Sequence, residues 1–256
     1  AIQMKKIPIA AISGAVFWGA AILTAPAGAQ QPVSAGQPND AVIYLNQAWS
    51  QEDRQWFDHF SQGSAVVSYD IFLNLETAEG VQPFRASLND PRYGLILDGP
   101  SSYNPDGLPV GIGKTTVAQQ IKGWPSGDYA AITCAACHTG ELTYKGKRVR
   151  IQGGNSRAVD LQGLVRGLDD ALQATLRDPE KFNRLAARLA GSNRDSVSKL
   201  RQRVEEEWRR VHVYVTRTSV TAHPWGPGRM DALSMIMDRA TATLTGIEEN
   251  WSPGIA

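Results

Sequence analysis

The chain has little cysteine and little histidine, two and four residues among 256. A structural zinc site needs four ligands, usually from two pairs. No second C-x-x-C and no H-x-x-x-H is present to supply them. An excess of one charge is also missing, with 26 Lys and Arg against 25 Asp and Glu. That balance gives no argument for nucleic acid or a membrane surface as a partner. Beyond residue 30 no apolar run is long enough to span a bilayer, which needs about 20 residues. Internal repeats are absent.

What is present begins at the amino end. Met4-Lys5-Lys6 is short and positive, "IPIAAISGAVFWGAAIL" is apolar, and "APAGAQ" places Ala27 and Ala29 before a cut at Gln30. This order reads as a secretory signal peptide over residues 1–29, with a membrane anchor as the competing reading. It places the mature protein in a bacterial periplasm or outside the cell, with no membrane contact after cleavage. Loss of Lys5 and Lys6 leaves 24 basic against 25 acidic side chains. Ala1-Ile2-Gln3 precedes Met4, and the chain stops at "NWSPGIA". Both features read as a fragment of a longer frame.

Residues 30–40, "QQPVSAGQPND", form a polar linker, so one domain is expected over 41–256. Ser50 with Asp53 makes a capping box ahead of a helix that sets Trp56, Phe57 and Phe60 on one face. A second helix is expected over 68–76. Residues 77–129 are rich in Gly and Pro and read as a long irregular region, of the kind that is functional or packed against something. "ELTYKGKRVRIQGG" reads as a hairpin around Lys145-Gly146. Leu161, Leu164, Leu168, Leu172 and Leu176 mark a helix over 156–178. Asp178-Pro179 starts another over 178–191. Further helices are expected over 195–215 and 231–244. The fold class expected is mainly α, a cytochrome c-like haem domain with long irregular loops and a small β-hairpin.

Both cysteines lie in "AITCAACHTGEL". Cys134-Ala-Ala-Cys137-His138 is the C-x-x-C-H pattern of c-type haem attachment. Two thiols one helical turn apart add to the two vinyl groups of one haem, and the next histidine becomes the proximal iron ligand. One haem c per chain is expected, with His138 on the iron. A redox disulfide competes, but it calls for a βαβ context. "GLPVGIGKTT" imitates a phosphate loop, yet Leu108 stands where the first glycine belongs.

A second axial ligand separates electron carriers from haems that bind peroxide or gas. His59, His212, His223, Met230, Met235 and Met237 are the candidates, and His223 is preferred because "HPWGPGRMDAL" fixes its backbone. The three methionines read most simply as a core stripe on one helix. Arg229, in the same turn, suits a haem propionate.

The blocks "FSQGSAVVSYDIFLNLE", "GLPVGIGK", "TCAACHTGELTYKGKRVRIQGG", "ALQATLRDPEKFNRLAARL" and "PWGPGRMDAL" occur in order over residues 49–233. They resemble the di-haem cytochrome c peroxidase-like family, in particular its rubber oxygenase-like branch. The resemblance implies an N-terminal haem-c domain whose attachment residues are Cys134, Cys137 and His138. It also implies a second haem domain that shares electrons with the first during peroxide or dioxygen chemistry. This chain has one C-x-x-C-H, so an enzyme of that kind needs a partner haem. A stand-alone mono-haem electron carrier, exchanging electrons with a redox protein, and a rubber oxygenase-like dioxygenase are the alternatives.

Overall fold

Strand-forming sequence extends well beyond the one hairpin. The computed structural model describes residues 42–119, 124–156, 158–218, 223–230 and 232–246. The expected leader over 1–29 and linker over 30–40 lie outside them.

The hairpin forms as expected from β5 (Thr139–Tyr144) and β6 (Lys147–Gln152). Lys145 and Gly146 turn between them with φ of 50° and 73°, the doubly positive geometry that matches the twist of the flanking strands. A third strand, β1 (Val42–Tyr44), then adds in parallel to β6, with Val42 opposite Arg148. A second sheet has the order β2-β4-β3, from β2 (Val67–Ser68), β3 (Ile112–Val117) and β4 (Gly127–Ile132). All its pairings are antiparallel.

The mainly α, cytochrome c-like expectation is therefore corrected to a mixed fold with two three-stranded sheets. Residues 77–129 are not uniformly irregular either. They hold α3 (Phe84–Ser87), a 3-10 turn at Pro91–Tyr93, β3 and the start of β4. The physical reason is range. β1 and β2 are too short to carry a period-2 signal, and their partners lie far along the chain.

The helices follow local code more closely. In α1 (Gln51–His59) the Ser50 hydroxyl accepts from the Asp53 N–H and the Asp53 carboxylate accepts from the Ser50 N–H. Then come α2 (Tyr69–Asn74), α4 (Cys134–His138), α5 (Leu161–Arg177), α6 (Pro179–Leu189), α7 (Arg194–Thr218) and α8 (Ala232–Thr245). Asp160 caps α5, and Asp178 caps α6 with Pro179 at its first position. The core joins Leu164, Leu168 and Leu172 of α5 to Leu200, Val204 and Val211 of α7, with Phe182 and Leu185 of α6 and Ile71 and Phe72 of α2. Buried Glu76 is held by a forked pair with Arg184 and by Arg188. Among the described residues no helix is long and apolar enough to cross a membrane.

Two elements invert the usual polarity. The buried residues of α1 are Asp58 and His59, while Trp56 and Phe60 are 44 % and 46 % exposed and stacked on each other at 5.0 Å. The expected apolar face of α1 is thus its outer one. On β6, Arg148, Arg150 and Gln152 are buried, and the apolar residues opposite them alternate toward the other side.

Candidate functional site

The C-x-x-C-H residues occupy α4, a single turn that links the two sheets along the chain: β4 runs into it and β5 leaves it. Its first turn is held from two directions. The Thr133 hydroxyl caps the Ala135 N–H at 3.2 Å, and the Gln62 side-chain oxygen accepts from the Cys134 N–H at 2.9 Å. At the far end the Cys137 carbonyl accepts from the Ser156 N–H at 2.8 Å. Ala135 and Ala136 face inward and are buried.

The glycines of "GLPVGIGK" make that seating possible. A Cβ on Gly111 would stand 2.3 Å from the Ala136 Cα, and its φ is +89°. A Cβ on Gly113 would stand 2.1 Å from the His59 carbonyl oxygen. Backbone approach this close needs glycine. Lys114 lies inside β3 rather than at a helix start, so this segment has a packing role and not a phosphate-loop geometry.

With the alanines inward, α4 turns its other side out. Cys134 is an exposed free thiol, Cys137 a half-buried one, and His138 is exposed. Burial, then the neighbouring Cys134, push the Cys137 thiol above its ordinary range. A thioredoxin-like C-x-x-C sits in a βαβ unit of one parallel sheet, whereas the strands before and after α4 belong to two different sheets. Among the described residues no three His, Cys, Asp or Glu side chains converge to hold a metal ion.

The donor set fits a covalent haem. Two thiols sit at i and i+3 on one turn, accessible, with the imidazole next to the second. Two buried polar atoms also lack partners: the Thr139 hydroxyl, directly after His138, and the Trp225 indole Nε1. Trp225 is 2 % exposed, and its backbone N–H donates to the Gln162 side chain at 3.0 Å. The same turn is fastened by the Gly228 N–H to the Val159 carbonyl, three residues from Ser156.

The remaining candidates separate. His59 is buried with Nδ1 3.0 Å from the Ile112 carbonyl and Nε2 2.9 Å from Asp98, so both ring nitrogens are engaged. His212 has Nδ1 2.9 Å from Asp169 and stacks on Trp208. His223 and Arg229 are both exposed, at opposite ends of the Trp225 turn. The methionines are not a core stripe on one helix. Met230 precedes α8 and packs on the core, Met235 accepts from the Tyr214 hydroxyl, and Met237 is 63 % exposed. Sequence reasoning missed Gln62, Thr133 and Trp225. Only Thr133, a capping residue directly before a short helix, left a local signal.

No family model matches the chain, and no solved structure matches it. It is similar to an uncharacterized protein, y4iJ, of Sinorhizobium fredii, with 31 % identity over 217 residues. The match covers 77 % of this chain, which spans 35 % of that longer protein.

Proposed function

We propose that this chain binds one haem c through Cys134 and Cys137, with His138 as proximal iron ligand. It would serve electron transfer and redox chemistry in an exported, di-haem peroxidase-like protein. One observation supports the reading most strongly: α4 seats its two alanines and presents both thiols and the imidazole on its open side. A haem c supplies a one-electron couple and, where its sixth position is open, a place for peroxide or dioxygen. The chain's own contribution is to fix the two sulfurs and the imidazole. Thr133, Gln62 and Ser156 hold the backbone of the turn, and Gly111 lets it sit flush. Arg229 would donate to a haem carboxylate. Catalysis of the peroxide or oxygenase kind would require a second haem domain as electron partner.

The test is expression with a cytochrome c maturation system, haem staining on a denaturing gel, and a reduced spectrum with and without carbon monoxide. Covalent stain that disappears when Cys134 and Cys137 are both changed to Ala is the expected result. Absence of any haem band would overturn the proposal. A Soret shift with carbon monoxide favours peroxide or oxygen chemistry, and an unmoved band favours a mono-haem carrier.

A further inference from the structure

The outward aromatic pair of α1 stands next to the motif turn. Trp56 and Phe60 are both exposed, and their rings stack at 5.0 Å with 19° between the planes. Apolar side chains scattered singly over a surface are ordinary. Among the described residues no other two exposed rings stack on one another. The segment after α1 is fastened to the start of α4. The Gln62 amide joins the two: its Nε2 donates to the Phe60 carbonyl at 2.6 Å, and its Oε1 accepts from the Cys134 N–H at 2.9 Å. One side-chain amide therefore spans the gap between Phe60 and the first thiol residue. The Ser64 hydroxyl donates to the Ile132 carbonyl at 2.6 Å, two residues before Cys134. The Ser61 hydroxyl donates to the Thr115 hydroxyl at 2.7 Å, and Phe60 itself bridges to Lys114 of β3. The ring pair is thus held in fixed register with the thiols.

From this placement we infer that Trp56 and Phe60 form the apolar wall against which the thioether edge of the haem rests. The inference rests on the haem reading above and adds the side chains that cover the cofactor. A porphyrin is wider than one helical turn, so it extends past α4 and takes its cover from neighbouring elements. Its propionate edge is anionic, whereas the edge that carries the thioethers is hydrocarbon. Aromatic rings match the second edge, as Arg229 matches the first. Cys134 is exposed at the end of α4 that Gln62 holds, so a ring system attached there leaves the turn beside Phe60. The contact removes apolar surface from water on both partners. It also accounts for the inverted polarity of α1, whose buried residues are Asp58 and His59. A wall of this kind keeps water from the porphyrin edge, and the apolar shell around a metal centre tunes its reduction potential.

Hydroxyl-radical footprinting by X-ray radiolysis of water, read by mass spectrometry, tests it on the full chain. The haem-loaded chain from a cytochrome c maturation system is compared with the haem-free variant Cys134→Ala, Cys137→Ala. Oxidation of Trp56 and Phe60 should fall severalfold on haem loading. Tyr144 and Met237, 61 % and 63 % exposed, are the internal references and should keep their rates. A second measurement needs no haem-free protein. The variant Trp56→Gln, Phe60→Gln changes only exposed side chains, so it should retain covalent haem and the parent's melting curve. Its midpoint potential should fall, because water admitted to the porphyrin edge favours the ferric charge. Haem stain with Trp56 and Phe60 oxidised at unchanged rates, or a potential indifferent to the double variant, would overturn the inference alone. A preparation without haem stain would overturn the haem reading and the inference with it, so the two failures are distinguishable.

Discussion

Asp58 sits in an environment opposed to its chemistry. Its carboxyl is pushed up to about 6 from 3.8, chiefly by burial, so the folded state holds its proton more tightly than the unfolded chain does. This group therefore favours folding fully below about pH 4, and that contribution is lost as pH rises through about 6. The loss amounts to about 3 kcal/mol. Asp98 behaves oppositely. Burial alone would raise it, but His59 and Arg150 hold it below its usual range, so its contribution is present at neutral pH and lost in acid. Tyr44 and Arg54 complete the charged and titratable groups around the pair. Asp58→Asn should gain about 2–3 kcal/mol relative to the parent between pH 4 and pH 7.5 in urea titrations. Parallel pH profiles for the two proteins would contradict this account. The legible part of the residue-scale site was the motif itself, because its chemistry is written in consecutive letters. Asp58 gave no such sign, since its partners Asp98 and Arg150 come from distant segments.

At the scale of elements, α4 depends on a backbone contact that only glycine permits. Gly111→Ala adds a left-handed strain of about 1–2 kcal/mol and a clash with Ala136 worth about 1–3 kcal/mol more. A clear fall in melting temperature is expected, with covalent haem yield falling alongside it. Unchanged melting would mean that the 108–111 segment moves freely off α4. The join between α2 and α6 rests on Glu76, whose carboxyl is held low chiefly by Arg184. Arg184 and Arg188 are each more than a third exposed and can hydrate once the carboxylate is gone, so Glu76→Ala should cost about 1–3 kcal/mol in denaturant melts. A loss near zero would show that Arg184 and Arg188 find other acceptors. The caps of α1 and α6 were readable because a cap is a contact between residues two or three apart, whereas the start of α5, expected at residue 156, lies at Leu161 behind the Asp160 cap. β1 was not readable, because three residues carry no usable period and the pairing with β6 spans about a hundred positions.

For the whole molecule, the core runs through α2, α5, α6, α7 and the β2-β4-β3 sheet. Neither thiol belongs to it. The double variant Cys134→Ala, Cys137→Ala should therefore unfold cooperatively, with a melting temperature within a few degrees of the apo parent. This distinguishes loss of haem stain from loss of fold. A non-cooperative melt would mean that the motif helix organises the domain.

The sequence by itself determined the local terms: the thiol spacing, the caps, the hairpin turn and the leucine stripe of α5. Each is set by residues within one or two turns of one another. The tertiary structure alone decided which faces point inward. Hydrophobic period expects Trp56 and Phe60 inside and Arg150 outside, and the fold reverses both. A charged face can be buried when its counter-charges arrive from elsewhere in the chain, as Asp58, Asp98 and Glu141 do around Arg150. Those arrivals are contacts between residues tens of positions apart, and no window along the sequence contains them.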